Sequence, residues 1–214
     1  MYYVPLMLPK KQALRNPTSL PLRKHGDWTC IMSRIASAST KKEKKEIVMN
    51  SGIKGMPVLL HVGSLDYARR IPWDFMHLLF QNVVKNLVHL WMGKFKNLDA
   101  GSGDFVIPEH IWKEIGIETV AVTRDIPAAF VGTLGNLAGD QTTYTAETWA
   151  FWFMYITPIL LIGHLSKRYY NHFSLLVNII KKCIQYSITI DELNELHDNI
   201  VKWVKEYERY AIPI

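Results

Sequence analysis

The sequence predicts a mainly α-helical protein with an irregular N-terminal arm and few or no strands. From residue 72 onward, apolar residues recur at the three- and four-residue spacing that is typical of helices. Four prolines between residues 5 and 21 prevent any regular period in the arm. Only Val58–Leu65 has the composition of a strand, and it is short.

The first third of the chain divides into the arm and one short helix. Residues 1–30 show no sustained period, so we expect them to be extended and irregular. A helix is predicted around Ile31–Asn50, ending near Gly52 and Gly55. We therefore divide the chain into a basic, Pro-rich arm with a short helix, residues 1–52, and a helical domain, residues 53–214.

The middle of the chain predicts two helices and a long loop. Trp73–Met92 is apolar on nearly all sides, as expected of a buried helix. Pro108 is predicted at the first helical position of a helix that continues to about Val120. Thr123–Thr143 is rich in Gly, Pro and Thr, and loops of that length are usually functional or mobile.

Three further helices are predicted in the last third. Thr145 is a suitable N-cap for a helix to about Gly163, and Ser166 for one to Tyr186. Thr189 and Glu192 have the spacing of a capping box, which predicts a final helix to about Tyr210.

One of these helices is apolar enough to raise the question of a membrane span. Trp149–Leu165 contains Thr157, Pro158 and His164, and it is shorter than the roughly 20 residues that a span needs. We expect a core helix that is kinked at Pro158, and no membrane partner.

The positive charge is concentrated near the N-terminus. The net charge of the 214 residues is +6, and residues 1–50 contain ten Lys or Arg against three Asp or Glu. Such a segment either contacts nucleic-acid phosphates or is a solvated, poorly ordered surface, and the sequence leaves both open. The candidate DNA-binding residues are Lys10, Lys11, Arg15, Arg23, Lys24, Lys41, Lys42, Lys44 and Lys45.

Cysteine usage predicts a reducing compartment. Cys30 and Cys183 are the two cysteines, and no Cys-x-x-Cys occurs, which argues against a disulfide framework and a structural zinc site. The N-terminal apolar stretch is short and interrupted by Pro5 and Pro9, so we expect no signal peptide.

Asp74 and His77 are the first candidates for chemistry. A spacing of three places both side chains on one face of a helix. Such a pair can orient a base, hold a metal or pin a loop. The simpler interpretation is that Asp74 helps to start the helix while His77 lies in the core.

Glu147 is the second candidate. It lies in the first turn of a predicted apolar helix, where a carboxylate interacts favourably with the helix dipole. The functional interpretation is a carboxylate that a rigid helix carries toward an active site.

An aromatic cluster follows Lys167 and Arg168. Its members, Tyr169, Tyr170, His172 and Phe173, either stack on nucleotide bases or pack between helices.

Six short motifs occur in order along the chain. They are Gly-Ile-Lys-Gly (52–55), Pro-Trp-Asp-Phe-Met-His (72–77), Trp-x-Gly-Lys-Phe-Lys-x-Leu-Asp (91–99), Tyr-Thr-Ala-Glu-Thr-Trp (144–149), Arg-Tyr-Tyr-x-His-Phe (168–173) and Trp-Val-Lys-Glu-Tyr-Glu-Arg (203–209). In this order they resemble the CACTA-type (En/Spm-like) DNA transposases of fungi and plants, over about residues 17–210.

The resemblance implies a specific activity. It implies the helical C-terminal part of an RNase H-like catalytic region, whose Asp-Asp-Glu triad binds two Mg²⁺ or Mn²⁺ ions that flank the scissile phosphate. The family's Asp-x-x-His element falls on Asp74 and His77, and its third acid on Glu147. Transposon-end DNA and full-length transposase are the implied partners, and the nucleus is the implied location.

Two parts of the family pattern are not found among the motifs of this chain. The resemblance implies that the family's first two catalytic Asp residues and a Cys-x-x-Cys precede the matched stretch, and a further helical region follows it. We therefore expect a transposase fragment that is inactive alone and retains DNA binding, with Glu147 a metal ligand only if the missing acids are supplied. The alternative is a helical protein-interaction module derived from a transposase.

Overall fold

The computed structural model describes residues 16–20, 22–70, 74–95 and 103–211. The chain divides into two compact units, Met1–Trp73 and Asp74–Ile214. Within those described ranges every regular element is helical, so the predicted mainly helical fold class is confirmed. The predicted boundary between residues 52 and 53 falls inside the first unit.

The described part of the first unit contains two α-helices, α1 (His25–Ser37) and α2 (Lys41–Ser51), where the sequence predicted one. The chain breaks because Ser39 and Thr40 form a helix start. The Thr40 hydroxyl accepts a hydrogen bond from the Glu43 N–H at 3.1 Å, and the Glu43 carboxylate accepts one from the Ser39 N–H at 3.0 Å. These two hydrogen bonds stabilise a new N-terminus, which a propensity pattern alone does not separate from a continuous helix.

Helix α1 begins at His25, inside the range of residues 1–30 that was predicted to be extended and irregular. The Asp27 carboxylate accepts a hydrogen bond from the Lys24 N–H at 2.7 Å and so fixes the first turn. The predicted end near Gly52 is confirmed: Gly52 has φ 74°, the left-handed conformation that glycine adopts without strain. The small core of this unit comprises Met32, Ile35, Ile47, Ile53 and Tyr67.

The predicted strand at Val58–Leu65 is wrong. Val58–His61 forms a 3₁₀ helix after Pro57, and the Val62 N–H continues its turns by donating to the Leu59 carbonyl at 3.1 Å. Val58 is 87% exposed, so its β-branched side chain does not mark a buried strand. No other segment in the described ranges offers a strand to pair with, and a lone strand leaves its backbone groups unpaired.

The second unit begins with a continuous helix that changes its hydrogen-bonding pattern midway. A π-helical stretch, π1 (Met76–Val84), leads into α3 (Lys85–Trp91), close to the predicted Trp73–Met92. The Asn82 side-chain amide donates to the His77 carbonyl at 2.5 Å, inside the π-helical stretch. The buried side chains of this helix confirm that it belongs to the core: Phe80, Val84, Leu87, Val88, Leu90 and Trp91.

Helix α4 (Glu109–Thr123) starts one residue later than predicted, because Pro108 is its N-cap with an extended ψ of 146°. The loop that follows it, residues 124–145, is packed rather than free of the core. Its side chains Val131, Leu134 and Leu137 are buried. The apolar residues of this loop do not follow a helical period, so the sequence did not indicate that the loop is packed.

The next helix consists of α5 (Ala146–Phe151), π2 (Trp152–Ile156) and α6 (Thr157–Leu160). Regular α-helical bonding is interrupted in the turn before Pro158, which has no N–H to donate. The Thr157 hydroxyl instead donates to the Trp152 carbonyl at 2.9 Å. None of the described helices is both long and apolar enough to cross a membrane.

The last two helices are α7 (Lys167–Cys183) and α8 (Ile190–Ala211). The predicted capping box is confirmed, because the Glu192 carboxylate accepts from the Thr189 N–H at 2.8 Å and the Thr189 hydroxyl accepts from the Glu192 N–H at 3.2 Å. The ammonium of Lys182 lies 2.6 Å from the Glu192 carboxylate, which ties the end of α7 to the start of α8. The two helices therefore pack antiparallel.

Candidate functional site

Asp74 and His77 form a hydrogen-bonded pair where π1 begins. The Asp74 carboxylate accepts from the His77 N–H at 3.1 Å through Oδ1, and Oδ2 lies 2.5 Å from His77 Nδ1. The predicted convergence of the two side chains is confirmed. The simpler interpretation is half right: Asp74 does cap the helix start, but the His77 side chain is 65% exposed and lies outside the core.

In this pair, a carboxylate contacts one ring nitrogen of a histidine. The hydrogen bond from the His77 backbone N–H, and then the one from its side chain, lower the pKa of Asp74. The carboxylate contacts the imidazole through Nδ1, and Nε2 takes no part in this contact.

Glu147 lies in the first turn of α5, immediately after the N-cap Thr145. The Thr145 hydroxyl accepts from the Thr148 N–H at 3.2 Å, which confirms the predicted cap. Glu147 is exposed, and α5 packs against π1, so the helices that carry Glu147 and His77 are neighbours. The dipole interpretation and the active-site interpretation of Glu147 both stay open.

These side chains do not fit the metal ions that the resemblance implies. A Mg²⁺ or Mn²⁺ site needs several oxygen ligands around one point. Among the residues that the structure describes, no three His, Cys, Asp or Glu side chains are grouped closely enough to hold a metal. Asp74, His77 and Glu147 therefore do not form a metal centre by themselves, and we derive no metal-dependent step for them.

The candidate DNA-binding residues within the described ranges are all at the surface of the first unit. Lys41, Lys42, Lys44 and Lys45 are exposed along α2, and Arg23 and Lys24 are exposed just before α1. The Arg23 guanidinium lies over the Trp28 ring, 5.5 Å from its centroid, which limits the conformations of this side chain. Three further candidates lie outside the described residues: Lys10, Lys11 and Arg15.

The difference in net charge along the chain is larger when the charges are counted for each unit. Residues 1–73 contain thirteen Lys or Arg against four Asp or Glu, whereas residues 74–214 contain twelve against fifteen. The first unit therefore has a formal charge of +9 and the second unit −3. Counting only residues 1–50 gives a smaller difference in net charge, because Lys54, Arg69 and Arg70 also belong to the first unit.

The aromatic cluster of α7 is part of the core. His172 and Phe173 are buried, and Phe173 makes edge-to-face contacts with Trp91 and Phe153, with ring centroids 5.6 and 5.2 Å apart. The Tyr170 hydroxyl donates to the Pro158 carbonyl at 2.7 Å. Of the two interpretations from sequence, packing between helices is the one that the structure supports.

Arg34 is not among the DNA-binding candidates predicted from the sequence. It shares an open cleft in the first unit with Arg23, Glu43 and Glu46. Because the sequence predicted a helix only from residue 31, it did not bring Arg23, just before α1, close to Arg34 on α1. The break between α1 and α2, which creates the cleft, was not predicted either.

No protein-family model, curated protein or solved structure matches this chain. The resemblance to CACTA-type transposases therefore stays a prediction. The charges and exposed side chains of the two units are the basis for the proposed function.

Proposed function

We propose that this chain is a DNA-binding protein derived from a CACTA-type transposase, and that its first unit contacts the phosphate backbone. The observation that carries the proposal is the set of four exposed lysines on α2, in a unit of formal charge +9. Lysine side chains that neutralise phosphates release condensed counterions, which gives affinity without sequence specificity. The ordered motifs from residues 52 to 209 support the transposase origin, and with it a nuclear location.

Strand cleavage and transfer by this chain alone is not part of the proposal. Two-metal chemistry needs carboxylates that hold both ions beside the scissile phosphate. In the part of the chain that the structure describes, no three His, Cys, Asp or Glu side chains are grouped closely enough to hold even one ion. Any cleavage would need the acids that a full-length transposase contributes.

The test is a salt titration of the full chain on a labelled duplex. A variant with Lys41, Lys42, Lys44 and Lys45 changed to Gln should bind more weakly, and its slope of log K against log salt should fall by about 0.9 for each phosphate that is no longer neutralised. The matched control changes four exposed lysines of the second unit to Gln: Lys94, Lys167, Lys202 and Lys205. Equal affinities and slopes for the two variants would contradict the proposal.

A second candidate function is a protein-interaction module of the same origin. Tyr155, Ile159 and Ile162 are exposed at intervals of about one helical turn around α6, so they form an apolar face. Exposed apolar faces of this kind mark protein contacts when they are large enough. Changing Ile159 and Ile162 to Glu should abolish binding to full-length transposase if this candidate is correct, and should leave duplex affinity largely unchanged.

A further inference from the structure

The first unit contains a cleft along the groove between α1 and α2. Only Ala38–Thr40 separates the two helices, so α2 runs back along α1. The cleft has a volume of about 440 Å³, within the range of small-molecule sites. Its lining consists of Arg23, Ile31, Arg34, Glu43, Glu46, Ile47, Asn50 and Ser51.

The order of the residues along the hairpin gives the cleft two cationic ends. Arg34 lies near the connection, and Arg23 lies at the opposite end, where α1 begins and α2 ends. Ile31 and Ile47 are the apolar part of the lining between them. A ligand that follows the groove therefore meets the side chains of the two arginines on either side of an apolar surface.

The arginine and glutamate side chains that line the cleft do not form ion pairs with one another. Among the ion pairs of the described residues, none joins Arg23 or Arg34 to Glu43 or Glu46. Glu43 caps α2 through the Ser39 N–H, where the helix N-terminus offsets its charge. Glu46 and the Asn50 amide are thus the polar groups between the two arginines.

We infer that this cleft binds a short single-stranded segment of nucleic acid, with phosphates at Arg23 and Arg34 and a base between those phosphates against Ile31 and Ile47. The inference rests on the proposed function and deepens it, because it assigns a single-strand site beside the lysines of α2. Guanidinium groups suit phosphate oxygens, and apolar side chains can pack against the face of an unstacked base. An acidic peptide would share the arginines but would have no use for the carboxylate between them.

Glu46 gives the site a preference among bases. A carboxylate accepts a hydrogen bond from the exocyclic amino group of cytosine, whereas thymine presents a carbonyl oxygen at the same place. We therefore expect a strand of deoxycytidine to bind more tightly than a strand of deoxythymidine. Replacing Glu46 with Gln should reduce that preference, because an amide both donates and accepts.

The experiment measures the fluorescence anisotropy of labelled oligo-dC, oligo-dT and a duplex with the full chain. Oligo-dC should bind at least about tenfold more tightly than oligo-dT, as expected for one charge-assisted hydrogen bond. The Arg23→Gln, Arg34→Gln double variant should lose about tenfold in single-strand affinity. The control Lys54→Gln, an exposed charge in the same unit but outside the cleft, should lose less than about twofold.

Each contrary result has a separate meaning. Equal binding of oligo-dC and oligo-dT, or equal losses per charge for the arginine variant and Lys54→Gln, would overturn the cleft site. Labelled poly-glutamate that binds as tightly as oligo-dC, and loses the same affinity in the arginine variant, would also overturn it, in favour of an acidic peptide. Failure of the proposed function would appear elsewhere, as duplex binding that does not depend on the four lysines of α2.

Discussion

The imidazole of His172 stacks on the indole of Trp203, with ring centroids 4.9 Å apart and planes within 7° of parallel. His172 Nε2 donates to the backbone carbonyl of Trp203 at 2.9 Å, so the ring is fixed both by its face and by its edge. Tyr207 extends the stack one turn later on α8. This contact joins α7 to α8, and His172 is buried within it.

The first prediction concerns the pH dependence of this contact. Burial lowers the pKa of His172 below its ordinary value of about 6.5, and this effect outweighs the opposing influences of the Trp203 carbonyl and the Glu206 carboxylate. The unfolded chain therefore binds a proton first as the pH falls. Stability that is present above about pH 6.5 should be lost progressively below it.

Thermal unfolding of wild type and His172→Phe, measured above and below that pH, checks this. Phe keeps the stack but does not titrate, so the variant should show a weaker loss of melting temperature on acidification. Parallel losses in both proteins would show that His172 is not the responsible group. The neighbouring titratable groups, Glu206, Tyr207 and Tyr169, are unchanged in the comparison.

The second prediction concerns Trp152. It is 0% exposed, and its indole N–H donates to the Thr119 hydroxyl at 3.1 Å. Trp152→Ala should lower the free energy of unfolding by about 3–5 kcal/mol, measured by denaturant titration. Tyr155→Ala on the same helix is the control, since Tyr155 is half exposed, and its loss should be much smaller. Similar losses at both positions would contradict a core role for Trp152.

The helices were largely predictable because their signals are local. The capping box at Thr189 and Glu192, the cap at Thr145 and the apolar run around Leu87 each depend on residues within one or two turns. Val58–Leu65 was mispredicted because strand composition has meaning only when a partner strand exists. That partner is a property of the whole fold.

The candidate site was predictable only in part. The three-residue spacing of Asp74 and His77 was sufficient to predict their contact, because helix geometry fixes it. The exposure of His77 was not predictable, since it depends on which neighbours cover the helix start. The cleft beside Arg34 depends on a helix break and on packing between α1 and α2, which no local pattern specifies.

The third prediction tests the packing of the loop after α4. Gly116 lies on a buried face of α4, and a Cβ added there would collide with the Asn136 side chain. Asn136 Oδ1 accepts from the Ala138 N–H at 3.0 Å, so it cannot move away without breaking that hydrogen bond. Gly116→Ala should therefore destabilise the protein by about 1–3 kcal/mol, despite the helix propensity of Ala.

Denaturant titration of Gly116→Ala checks this, with Gly139→Ala as the control. A Cβ at Gly139 would meet the Asn136 carbonyl oxygen at 3.8 Å, which is ordinary van der Waals contact. A neutral or stabilising Gly116→Ala would mean that the loop is not held against α4.

The fourth prediction separates DNA binding from the family's catalytic positions. Asp74→Ala and Glu147→Ala should each leave duplex affinity within about twofold of wild type, because an exposed carboxylate makes no favourable contact with a phosphate. The measurement is the same salt titration as for the lysine variants. A large loss of affinity in either variant would place that carboxylate in the DNA interface, for example through a bridging cation. In that case adding a chelator to wild type should reproduce the loss, whereas an unchanged affinity would leave the lysines of α2 as the phosphate contacts.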